Sequence, residues 1–129
     1  MFNHVMVGPN DIERSNRFYD TVLGVLGASE PIWNEADGGH MRLFYRHEGS
    51  TFCVSEPIND AAATAGNGST VAFKCSSLAQ VREFHDVAVA YGGTSIEDAP
   101  WPRNSNMGLV NLAYVRDPDG NKLCAIHRD

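Results

Sequence analysis

The chain reads as one structural unit written twice. Along the 129 residues, His4 falls opposite Thr70, Gly24 opposite Gly92, Leu43-Phe44-Tyr45 opposite Leu112-Ala113-Tyr114, and Phe52-Cys53-Val54 opposite Leu123-Cys124-Ala125. The separations rise smoothly through 66, 68, 69 and 71, as small insertions in second-half loops would produce. A repeat constrains the fold more than any composition does, because both copies must bury the same faces.

Within the first copy, residues 2–7 are apolar-rich with β-branched residues and stop at Gly8-Pro9, so they read as a strand. Asn10 can cap a helix, with Glu13 three residues on. Ile12, Tyr19, Val22, Leu23 and Leu26 recur at near-helical spacing up to the terminators Gly24 and Gly27, which predicts a helix over 11–23. Strands are expected near 28–33, 41–46 and 51–55, the last two joined at Glu48-Gly49. The second copy repeats this order: a strand at 70–75, a helix over 78–91 capped by Ser77 with Gln80, and strands near 94–97, 109–116 and 122–127. The loop between 97 and 109 holds Pro100, Pro102 and Asn104, and the last turn is Asp117-Pro118-Asp119-Gly120-Asn121. The expected modules span about 1–57 and 69–129, joined by a small-residue, Gly-rich linker at 58–68.

Composition excludes several classes. A formal charge of −6, with ten Lys and Arg spread along the chain, argues against a nucleic-acid partner. No run of 18 apolar residues is long enough for a membrane helix, and no basic-then-apolar leader opens the chain. Three cysteines outside any C-x-x-C motif read as reduced thiols, the expectation for a cytoplasmic protein.

Strand alternation places the candidate site. If each helix covers the Val5/Val7 and Val71/Phe73 faces, then His4 and Thr70 point to the opposite, concave side. Cys53 and Cys124 lie between helix-side neighbours and join them, so the four repeat-related positions are expected to converge on one cavity. Tyr45 and Tyr114 line that cavity if their strands share this parity. Arg103, in the Pro-rich loop, is placed to clamp an anionic group.

Together, His4-Val5-Met6-Val7 with Asp11, the helix carrying Ser15, Phe18-Tyr19 and Leu23-Gly24, the Gly66-Asn67-Gly68 linker and the Asp117–Asn121 turn resemble the vicinal-oxygen-chelate superfamily. It includes glyoxalase I, extradiol dioxygenases, fosfomycin-resistance enzymes and bleomycin-binding proteins. The resemblance implies an α+β fold of two tandem βαβββ modules, a curved, barrel-like mixed sheet with outer helices, and a homodimer. In metal-using members the ligands come from the first and closing strands of each unit. Only His4 matches that pattern here; Thr70, Cys53 and Cys124 stand at the other three positions. A hard or borderline divalent ion prefers imidazole and carboxylate, so no cofactor is expected.

Three functions follow. The first is a small-molecule binding protein without a complete family metal site, its ligand held by His4, Cys53, Thr70, Arg103, Tyr114 and Cys124. The second is a metal-dependent glyoxalase-like lyase or dioxygenase, in which a divalent ion acts as Lewis acid. The third is a thiol-based enzyme or sensor using Cys53 or Cys124 with His4 as base.

Overall fold

The computed structural model describes residues 1–105 and 108–128, and within 98–105 the backbone alone. The elements run β1 (Val5–Val7), α1 (Ile12–Val25), β2 (Ile32–Glu35), β3 (Met41–His47), β4 (Ser50–Ser55), β5 (Val71–Lys74), α2 (Leu78–Ala90), β6 (Thr94–Ser105), β7 (Gly108–Arg116) and β8 (Lys122–Arg128). They form two curved four-stranded sheets of matching order, β1-β4-β3-β2 and β5-β8-β7-β6. In each, the first strand pairs parallel with the fourth and the remaining pairs are antiparallel. This is the expected α+β architecture of tandem βαβββ modules, with curved sheets that do not close into a barrel.

Four local expectations change. The α1 cap is Asp11, whose carboxylate accepts from the Arg14 N–H at 3.1 Å. Asn10 instead bonds both the N–H and the C=O of Ala63. Gly24 lies inside α1; the helix ends in a Schellman motif at Gly27 (φ 96°), with Ala28 N–H donating to Leu23 C=O at 3.1 Å. Gly27 is therefore the counterpart of Gly92 (φ 104°). The strand expected near 28–33 starts only at Ile32, because the chain must first leave this motif and pass Pro31. Finally, the segment read as a Pro-rich loop belongs to β6, which continues past a register break between Ile96 and Trp101. β6 is an edge strand, where proline is tolerated because one side of the backbone needs no ladder partner.

The helices put both modules into one core. Phe18, Tyr19, Val22 and Leu23 of α1 and Val81, Phe84 and Ala88 of α2 are buried against Leu43, Tyr45, Phe52 and Val54 of the first sheet and Ala113, Val115, Leu123 and Ala125 of the second. Burial of such side chains stabilises by roughly 1.5–3 kcal/mol each. A polar lash adds direction. The Tyr19 hydroxyl donates to Asp117 Oδ2 at 2.6 Å, and Asp117 Oδ1 accepts the Asp119 and Asn121 N–H groups, both at 2.9 Å. Asp119 Oδ1 accepts from the Asn10 N–H at 3.0 Å and from Arg14 at 2.9 Å. The β7–β8 turn of the second module is thus tied to the start of the first module's helix.

Candidate functional site

Strand registers divide each sheet into two faces. Val5 and Val7 align with Phe52 and Val54, and these with Tyr45 and Leu43, all on the helix side. The averted face of the first sheet carries Met6, Cys53 and Phe44 in one row, with Ser55, Arg42 and Asn34 on one flank and Thr51 and Arg46 on the other. On the second sheet the matching row is Ala72, Cys124, Tyr114 and Ile96. Cys53 therefore faces Phe44 as Cys124 faces Tyr114, so the counterpart of Tyr114 is Phe44 and the hairpin match in the sequence is one residue out. Tyr45 lies on the helix side. It is buried, and its hydroxyl donates to Asp20 at 2.8 Å and accepts from Asn16 at 3.1 Å. Burial, and then the bond to Asp20, push its phenol far above the usual range, although the Asn16 bond acts to lower it.

Between the free edges of β1 and β5 runs a groove of about 600 Å³. Phe52 and Phe73, their ring centroids 5.3 Å apart, floor it with Leu23 and Leu26 of the α1 end. Its polar borders include His4, Thr70, His47, Glu48 and Lys74, and Tyr45 reaches it from the helix side. The groove thus brings His4 and Thr70 together. Cys53, Tyr114 and Cys124 do not border it, and the Arg103 side chain lies outside the described residues. His4 is exposed, with Nδ1 2.7 Å from Asn3 Oδ1.

The thiols are poorly placed for nucleophilic work. Cys53, Cys75 and Cys124 are all buried, and none is in a disulfide. Burial pushes the Cys53 thiol up, with Arg42 and Arg46 opposing it, and pushes Cys75 to about 11. A nucleophilic cysteine needs the reverse. Among the described residues no three His, Cys, Asp or Glu side chains are gathered so as to hold a metal ion. The donor set at the repeat-related positions, one exposed imidazole, one hydroxyl and two buried thiols, does not fit a Lewis-acid centre of the imidazole–carboxylate kind.

Paired βαβββ units, each turning one sheet face away from its helix, define a tandem-module class of small α+β proteins. The chain belongs to the Glyoxalase/Bleomycin resistance protein/Dioxygenase superfamily, whose model matches residues 1–125. It is similar to a glyoxalase/bleomycin resistance protein from Albidiferax ferrireducens, at 48% identity over 99% of both chains with a TM-score of 0.92. A glyoxalase-related enzyme from Fulvimarina pelagi shares the fold at 21% identity and a TM-score of 0.72, covering 99% of this chain and 88% of that one. The fosfomycin resistance protein FosX from Listeria monocytogenes, complexed with Mn(II) and sulfate, shares it at 14% identity and a TM-score of 0.70, covering 100% and 93%. No curated protein matches the chain.

Two averted residues escaped the sequence reading: Arg42 and Arg46. The signal was present in the alternation Arg42-Leu43-Phe44-Tyr45-Arg46. Once Leu43 and Tyr45 are assigned to the core, the arginines and Phe44 must share the other face.

Proposed function

We propose that the chain is a cytoplasmic, glyoxalase/bleomycin-resistance-like protein that binds a small organic molecule in a concave cavity between its two sheets, without a resident metal. The groove between β1 and β5 carries this reading. It is large enough for a small ligand, mostly apolar at its floor, and edged by a few polar groups, the usual build of a small-molecule site. Helix-side Val5, Tyr45, Phe52, Val71 and Phe73 meet averted Thr51, Ala72 and Lys74 in its lining, so the groove lies at the seam between the two sheets. The metal-dependent lyase or dioxygenase reading is the lesser one, because one imidazole with a hydroxyl and two buried thiols is a weak donor set for a hard ion.

Ala72→Trp tests the proposal by setting an indole into the groove from an exposed strand position. Small molecules that raise the melting temperature of the wild-type protein saturably should fail to do so with Ala72→Trp, while its circular dichroism is unchanged and EDTA leaves both melting temperatures where they were. Equal stabilisation of the variant would remove the groove from consideration. A chelator-induced drop would restore the metal reading.

A further inference from the structure

Charge is sorted by face in this molecule. Six of the ten Lys and Arg, counted among residues whose side chains are described, stand at helix-averted strand positions: Arg42, Arg46, Lys74, Arg116, Lys122 and Arg128. Among the described residues no Asp or Glu occupies a registered averted position, although Glu97, in the β6 irregularity, pairs with the averted Lys122 at 2.7 Å. Placement blind to sign would have put more acids than bases there, since acids are in excess. A cationic concave face on a chain of net charge −6 focuses field toward an incoming anion.

The first sheet carries the most developed part. Arg42 is held in place by two bonds, Nε at 3.0 Å and Nη2 at 2.6 Å, both to Asn34 Oδ1, and its guanidinium carbon lies 5.6 Å from the Phe44 ring centroid. Asn34 is neutral, so it orients the guanidinium without neutralising it. Neither Arg42 nor Arg46 takes part in an ion pair among the described residues. Their rows flank the row of Phe44 and Cys53 on either side, and both charges act on the buried Cys53 thiol. An oriented guanidinium, a second one across an aromatic face, and no carboxylate on that face make a receptor for a planar anionic group carried on an apolar body.

We infer that the averted face of the first sheet binds a small organic acid, carboxylate or phosphoryl, whose charged group sits between Arg42 and Arg46 with its apolar part against Phe44. This goes beyond the small-molecule reading above: Arg42, Phe44 and Arg46 do not border the β1–β5 groove, so the seat is a second one, on the averted face of the first sheet.

Isothermal titration with benzoate, phenyl phosphate and neutral benzamide tests it on wild type, Arg42→Gln with Arg46→Gln, and the α1 surface control Arg17→Gln. Benzoate or phenyl phosphate should bind saturably, benzamide at least about tenfold more weakly, and the double variant should lose about tenfold or more for the anion alone. Arg17→Gln should bind like wild type. The stronger of the two anions tells carboxylate from phosphoryl. Benzamide binding as tightly as benzoate, or a double variant that keeps the anion, would overturn the charge assignment and leave small-molecule binding standing. Binding of none of the three, with Ala72→Trp also indistinguishable from wild type in thermal-shift screening, would overturn both. Capture of duplex DNA by the same arginines without benzoate binding would make the face a polyanion surface and overturn the inference.

Discussion

The Asp117 carboxylate gathers four hydrogen bonds while the residue is only 4% exposed, and these bonds offset the cost of burying it. Tyr19→Phe removes one of them and leaves the turn's own three. It should cost about 1 kcal/mol in urea unfolding, the usual net worth of one hydrogen bond. Asp117→Ala strips the turn and strands a fully buried Tyr19 hydroxyl, so it should cost about 3 kcal/mol. Equal losses would mean that the Tyr19 bond, not the turn, carries the stability. The phenol itself is held well above its usual pKa, first by burial and then by the Asp117 charge, so it remains a donor throughout the working pH range. At this scale the sequence was a partial guide. It marked Asp117 as a turn former but not as the acceptor for Tyr19, because a contact spanning 98 residues has no local signature. It marked Tyr45 as a cavity candidate by matching identity across the repeat; pairing with Phe52 puts it on the helix side, from which it reaches the groove.

The two helices show how far local pattern carries. Capping residues, apolar spacing and terminal glycines located both to within a few residues, since helix signals lie three and four positions apart. The glycines were harder to rank. Gly24 lies within α1, and a β-carbon there would meet nothing within 4 Å, so Gly24→Ala should raise stability by about 0.5–1 kcal/mol. At Gly93 a β-carbon would lie 2.8 Å from the carbonyl oxygens of Ala88 and Arg116 and 3.0 Å from the Phe18 ring, so Gly93→Ala should cost about 2 kcal/mol or more. Paired thermal melts check both, and a Gly24→Ala protein that melts lower than wild type would contradict the helical assignment. β6 was the element least legible from sequence. Its prolines and broken register read as a loop, and only pairing with β7 identifies it as a strand.

For the whole molecule the repeat carried most of the information: two sheets of equal strand order, one helix each, joined by a Gly-rich linker. It could not report how the modules meet. The free edges of the first sheet, with Val5 and Met6 of β1 and Ile32 and Trp33 of β2 at least 37% exposed, leave apolar surface and unpaired backbone that a second copy would cover. We therefore expect sedimentation at micromolar concentration to give twice the 14.1 kDa chain mass, and a species of single-chain mass would count against pairing. The lash between Asp117–Asn121 and the start of α1 has a consequence during synthesis at the ribosome. Asn10, Arg14 and Tyr19 emerge first, yet the groups that satisfy them lie about a hundred residues later. Until then the first half exposes a sticky, half-built surface to its surroundings, and chain release and final docking become nearly the same event. Slowing translation near the second helix should prolong that exposure rather than shorten it, so this protein gains little from the pauses that help independently folding domains.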